Sequence, residues 1–296
     1  MSSRILPEFE MLIPQSMEEA IKALGEYKEN ASVLAGGTDL LVNMKGGMRC
    51  AANEFGTHYV VSLSEIPDLD YVKYDEKAGL RIGAMATLTT VGNDPVIKEK
   101  YSALWESIAV CGTAQTRNMG TVVGNLLNAS PCADCSCAIL ALGGTVVLEG
   151  PIGRRDVDID DFWTGYRLTA RQSNEIAVEV KLPPIPEGTV SSHIKMTRVA
   201  HDLAKLSASV RLDISGSTCQ RARIAMGSVA PVIIRVNEAE KILAGAEITD
   251  ELLDRVAESV SSEITPIDDV RSTAEYRREV GGVLVKRTIQ KAFRNQ

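Results

Sequence analysis

Apolar positions recurring at helical spacing set the first element of this chain. Ala20, Ala23, Leu24 and Tyr27 share one helix face, and Ser16 with Glu19 three positions on makes a capping box, so a helix is predicted over about 17–29. The short apolar run Ser32 to Ala35 is cut by Gly36 and Gly37, and Leu40 and Leu41 resume behind Thr38 and Asp39. This reads as strand, glycine turn and short helix. Tyr59 to Leu63 reads as a strand, and Tyr71–Lys73 and Leu80–Ala84 flank a polar turn as a hairpin. Ile97, Tyr101, Leu104, Trp105 and Ile108 follow one face of a single amphipathic helix ending near Gly112. A small-residue helix follows from about Ala133, with strands at Thr145–Leu148 and Ile176–Leu182.

Pro183, Pro184, Pro186 and Gly188 then interrupt every pattern and mark a boundary. Beyond it the alternation predicts three strands, at about 190–199, 205–214 and 219–227. Helices follow near 237–244, 250–263 and 273–293. The expected organisation is therefore a unit over 1–182, itself divided near 56/57, and a second unit over 188–296. A chain of 296 residues with 45% hydrophobic content can build two such cores.

Charge narrows the function. Lys plus Arg total 32 against 39 Asp plus Glu, a net charge of -7, which leaves no basic footprint for nucleic acid. The opening residues hold no apolar stretch of signal-peptide length, and Cys137 to Leu148 is too short to span a bilayer, so a cytoplasmic protein without a membrane segment is expected. Six cysteines in that setting read as reduced thiols. Cys132, Cys135 and Cys137 cluster without a fourth Cys or a His nearby, and read as buried thiols at a helix start rather than a metal site. His58, His193 and His201 are scattered with no ligand spacing, and no nucleophile and base pair stands out.

Two glycine-bearing segments remain, Leu34-Ala35-Gly36-Gly37-Thr38-Asp39-Leu40 and Thr116-Arg117-Asn118-Met119-Gly120-Thr121-Val122-Val123-Gly124-Asn125. Glycine lets backbone amides approach an anion, and the threonine hydroxyls add donors, so either could cradle a phosphate. Neither fits GxGxxG or GxxxxGK[ST], which argues against a nicotinamide cofactor on a Rossmann domain. Either one alone reads equally as a tight turn.

In order and spacing, AGGTDLL from Ala35, TRNMGTVVGN from Thr116 and NASPCAD from Asn128 resemble the FAD-binding subunits of molybdenum hydroxylases, the xanthine dehydrogenase and carbon monoxide dehydrogenase family. The resemblance extends to FEMLIPQSMEEAIKAL near the start and to EIAVEVKLP and HIKMTRVAHDLAKLSASVRL at the entry to the second unit. It implies an α+β fold: a two-subdomain FAD-binding domain of the vanillyl-alcohol oxidase/PCMH type, then a three-stranded antiparallel sheet with a helical bundle. It also implies cofactor contacts from Leu34, Ala35, Gly36, Gly37, Thr38, Asp39 and Leu40, and from Thr116, Asn118, Gly120, Thr121, Gly124 and Asn125. Further neighbours would be Ser130, Asp134, Ala177 and Lys195. Val123 departs from the family pattern, which usually has a pair of glycines before Asn125.

By the same resemblance, this chain would take electrons from iron–sulfur clusters on a small subunit, fed by a molybdopterin centre on a large subunit, and pass them as hydride to NAD(P)+. The hydroxylated substrate would be heteroaromatic, such as nicotinate. FAD would be held non-covalently, since the first loop contains no His or Cys. Substituting Gly37 or Gly124 by Val is expected to expel it, whereas Gly79, in the hairpin turn, is expected to accept Asn. Two other readings remain: a self-contained FAD oxidase, which would need a larger substrate domain, and a structural assembly subunit without flavin.

Overall fold

The computed structural model describes residues 5–46 and 58–294; Cys50 and the expected 56/57 division lie outside them. Strand β1 (Glu10–Leu12) leads to helix α1 (Met17–Tyr27), whose Ser16 hydroxyl accepts from the Glu19 amide at 3.2 Å. Then come β2 (Ala31–Leu34), α2 (Leu40–Lys45) and β3 (Tyr59–Ser62). The sheet order is β1-β3-β2, all parallel. Strand β3 sits between the other two strands.

The hairpin β4 (Val72–Asp75) and β5 (Gly79–Gly83) precedes a run of short helices: α3 (Leu88–Gly92), α4 (Pro95–Lys100), α5 (Ser102–Ala109), α6 (Ala114–Arg117), α7 (Val122–Leu127) and α8 (Asp134–Leu142). The single helix expected through Ile97–Ile108 is thus two. Tyr101, at φ -120 and ψ 49, breaks it, and the tyrosine is fully buried with its hydroxyl donating to the Pro183 carbonyl at 2.9 Å. Both pieces face one core, so the periodicity survives the break. Strands β6 (Thr145–Gly150), β7 (Gly153–Asp158), β8 (Trp163–Gly165), β9 (Leu168–Thr169) and β10 (Ile176–Leu182) complete this part, giving a sheet β4-β5-β10-β6-β7 and a separate β8–β9 hairpin.

Strands β11 (Thr189–Met196), β12 (Leu206–Ser215) and β13 (Thr218–Gly227) form the expected antiparallel meander. Two short strands, β14 (Ile234–Arg235) and β15 (Ala246–Glu247), also pair with β13. Each is two residues long, too short to show alternation in sequence. Helices α9 (Asn237–Leu243), α10 (Asp250–Glu263) and α11 (Ala274–Arg294) cover one sheet face, where Ala208, Val210, Leu212, Ile224 and Met226 form the core.

The opposite face of that sheet is polar and still buried. Ser191, His193, Ser207, Ser209 and Arg211 alternate with the core residues and turn toward α5 and α8. Every residue of α8 is buried. Its last carbonyls are satisfied from the sheet: Arg211 Nη1 donates to Leu142 O at 3.1 Å, and Arg223 Nη2 to Leu140 O at 2.9 Å.

Candidate functional site

The parallel sheet delivers the first glycine loop to the carboxyl end of its strands, where α/β sheets place ligands. Gly37 has φ +71, a conformation that side chains disfavour. Gly36 is constrained differently: a Cβ there would lie 1.8 Å from the Met119 carbonyl oxygen, because the second loop packs directly on the first. Among the described residues, the amides of Gly36, Gly37 and Thr38 find no acceptor in the chain, which leaves them for a bound anion or solvent.

Local bonding fixes the second loop. The Thr113 and Thr116 side chains form a reciprocal capping box on α6, the Gly120 carbonyl accepts from Leu88 N at 2.8 Å, and Thr121 Oγ accepts from Gly124 N at 2.9 Å. Gly124 is helical, not left-handed, and a Cβ there would meet only Thr121 Oγ, at 2.9 Å. Its expected sensitivity to Val would therefore come from crowding the cap oxygen, not from a positive φ. Val123 is buried against the core, so the departure from the glycine pair leaves an ordinary N-capped helix.

The third wall was largely illegible in sequence. Asn128 Nδ2 donates to Asp39 Oδ1 at 2.9 Å, while Asn43 Nδ2 at 3.4 Å and Arg167 Nη1 at 3.3 Å both donate to Asn128 Oδ1. Arg167 sits at the β8–β9 turn with φ 57, and its amide donates to Ala129 O at 3.2 Å. Asp39 is thus tied to neighbouring protein groups at the cleft wall. Asn128→Ala should loosen the joint between the first and third walls and weaken FAD binding about tenfold to a hundredfold, at roughly 1–3 kcal/mol for its lost bonds. Flavin titration of the apoprotein measures this, and an unchanged affinity would show the joint to be dispensable.

These walls enclose a cleft of about 510 Å³, within the usual range for ligand sites. All the expected site residues line it except Leu34 and Asn118. Leu34 packs under the first loop with Met44 and Val60, and Asn118 Oδ1 accepts from Thr89 Oγ at 2.6 Å. Lys195 is no solvated strand lysine. Its side chain is 4% exposed and donates to Asp134 Oδ2 at 3.0 Å and to Val110 O at 3.2 Å. Burial pushes the Asp134 carboxyl up to about 6, with Lys195 opposing. Asn125 Oδ1 and Asp134 Oδ1 are buried without a partner, as acceptors awaiting a ligand would be. Free amides at the first glycine loop and these two oxygens fit a ligand with phosphates and several hydrogen-bonding groups, as FAD has.

Cys135 and Cys137 are fully buried in α8, where burial raises the Cys137 thiol to about 11. The Cys132 sulfur, at the cleft, accepts from Arg271 Nη1 at 2.9 Å. No trio of His, Cys, Asp or Glu among the described residues is placed to hold a metal ion. His193 is buried beside Ser209 Oγ at 2.8 Å and its pKa falls to about 3 through desolvation, so it stays neutral. His201 lies at the cleft with Nδ1 2.9 Å from Gly112 O. Among the described residues no helix is long and apolar enough to cross a membrane.

Two family profiles match the chain: the FAD binding domain in molybdopterin dehydrogenase over residues 7–185, and the CO dehydrogenase flavoprotein C-terminal domain over 192–292. The carbon monoxide dehydrogenase medium chain of Hydrogenophaga pseudoflava is 32% identical over 289 residues, 98% of each chain. The nicotinate dehydrogenase FAD-subunit of Eubacterium barkeri is 28% identical, over 95% of each. Among solved structures, the Hydrogenophaga pseudoflava carbon monoxide dehydrogenase lacking the Mo-pyranopterin moiety superposes with a TM-score of 0.92 at 31% identity, covering 98% of this chain and 99% of that one.

Proposed function

The chain belongs to the FAD-binding medium subunits of the molybdenum hydroxylases, an oxidoreductase subunit, and on that premise we propose that the cleft between its glycine loops is where FAD binds. The observation that carries this is the convergence on one cleft of unpaired loop amides and two buried, partnerless oxygens, Asn125 Oδ1 and Asp134 Oδ1. Gly36, Gly37 and Thr38 would hold the diphosphate through their amides, with the capped second loop opposite. Asn125, Asp134 and Lys195 would orient the rest.

Bound FAD supplies a carrier that takes electrons singly and gives them up as a pair. The chain's own residues bind and orient it, and Asp134 with Lys195 sets the charge beside it. Small and large partner subunits would carry the iron–sulfur clusters and the molybdopterin centre, with NAD(P)+ as final acceptor. The substrate reading, a heteroaromatic such as nicotinate, rests on the likeness to the nicotinate dehydrogenase FAD-subunit and to no residue of the cleft.

In the assembled complex, anaerobic nicotinate should bleach the flavin absorbance and NAD(P)+ should restore it. The isolated chain, reduced by dithionite, should pass electrons to a dye but oxidise no heteroaromatic compound. Turnover by the isolated chain would instead make it a self-contained oxidase. Acid precipitation should leave the flavin in the supernatant. Flavin retained in the pellet would point to a covalent bond, with Cys132 and His201, both at the cleft, the first residues to examine.

A further inference from the structure

Asp134 opens α8 at the cleft wall and is 6% exposed. Lys195 Nζ satisfies its Oδ2, while Oδ1 is buried without a partner. A buried carboxylate oxygen left bare is costly, and two arrangements relieve it. A ligand group can donate to it, or the oxygen can carry a proton and donate in turn.

The surroundings favour the second. Desolvation is the largest influence on this carboxyl and already brings it to about 6 against the opposing influence of Lys195 and of the neighbouring Cys111 thiol. A ligand that fills the cleft removes remaining water and, if it carries a diphosphate, adds negative charge nearby. Both act in the same direction on an acid. Resting on the reading of the cleft as the FAD site, we infer that FAD binding is coupled to uptake of one proton on Asp134 Oδ1, and that the neutral acid then donates a hydrogen bond to the cofactor.

The groups facing Asp134 are Lys195 from β11, Cys111 from the segment after α5, and Cys135 and Cys137 from α8 itself. His201 and Asp202, from the segment after β11, also line the cleft, and Arg271 reaches its edge at Cys132. Of these, His201 is the neighbour whose replacement serves as the control.

The linkage runs one way. Below about pH 6 the free protein already holds the proton, and affinity is highest and flat. Above that, the proton must be taken up on binding, so Kd rises by up to about tenfold per pH unit until the raised pKa of the complex is passed.

The experiment titrates FAD into the full-length apoprotein by flavin fluorescence across this range, with calorimetry in two buffers of different ionisation enthalpy to count protons. Wild type should take up close to one proton per FAD about a pH unit above the free-state pKa. Asp134→Asn, whose amide is neutral and donates, should bind FAD at least as tightly while losing both the proton uptake and the pH slope. His201→Gln should keep both. Binding of FAD without proton uptake overturns the inference, as does a folded Asp134→Asn protein that loses affinity, because the carboxylate would then be acting as an acceptor. Loss of the slope in His201→Gln overturns it too. If Asp134→Asn does not fold, difference infrared spectra of wild type decide. A carboxylic acid carbonyl band appearing with FAD supports the proton, and its absence refutes it. A folded wild-type protein that binds no FAD at any pH would instead defeat the site assignment itself.

Discussion

Gly36→Ala is expected to yield a protein that purifies without flavin. A single methyl group there would lie 1.8 Å from the Met119 carbonyl oxygen, 2.5 Å from its carbon and 2.9 Å from Gly120 Cα. All three are backbone atoms, so no rotamer change relieves the clash and the two loops must move apart. With them go the amides of Gly36, Gly37 and Thr38 and the position of the Thr121-capped helix. Losing two or three charge-assisted bonds at roughly 1.5–3 kcal/mol each would raise the FAD Kd by several orders of magnitude. Gly37→Val should act through its φ of +71, and Gly124→Val more mildly through the cap oxygen. The ratio of flavin to protein absorbance, with circular dichroism as the folding check, reads the result. Full flavin content in a well-folded Gly36→Ala protein would refute the loop-packing argument.

The expected control does not survive the structure. Gly79 lies in a hairpin turn with φ +84, yet a Cβ there would sit 2.1 Å from the Leu182 carbonyl oxygen, because the chain leaving β10 packs against the turn. Asn is therefore not tolerated. Gly216, with φ +60 and open space around it, takes its place: Gly216→Asn should keep both fold and flavin.

Gly282→Val should have the largest effect on stability while acting away from the cleft. Gly282 lies where α11 crosses α10, and its Cβ would fall 2.1 Å from Ala257 O and 2.8 Å from Ala257 Cα. Overpacking against side chains costs about 1–3 kcal/mol, and a backbone obstacle puts this change at or above the upper end. A loss of about 3 kcal/mol corresponds to a fall in Tm of roughly 6–12 °C in a chain of this order of size. Flavin should stay with the fraction that remains folded. An unchanged denaturation midpoint would show that α10 and α11 separate more cheaply than this crossing implies.

Much of this was legible in the chain. The meander β11–β13 and helices α9–α11 follow from long, unbroken periodicity, and the two glycine loops stand out because glycine there has a steric reason. Tyr101 hid a helix break, since buried residues on both sides of it keep the same phase. The contact of Arg167 and Asn43 with Asn128 could not be read: a left-handed arginine at a short hairpin and two asparagines 85 residues apart meet only through tertiary structure. Lys195 came only from the family resemblance, because a lone lysine in an alternating strand says nothing of the buried Asp134 it meets 61 residues away in sequence.

The arginine caps on α8 bear on how freely the two halves of this chain could be recombined. Leu140 and Leu142 end a helix whose residues belong to the first half, but the guanidinium groups that satisfy their carbonyls, from Arg223 and Arg211, belong to the second. Grafting the first half onto an unrelated C-terminal partner would leave the Leu142 carbonyl without its arginine, leave Leu140 only the Gly143 amide, and bury Cys137 against a surface not shaped for it. A chimera therefore has to carry β12 and β13 along with α8, and with them the helices α9–α11 that cover their other face, so the prolines that look like a boundary are not a free cut point.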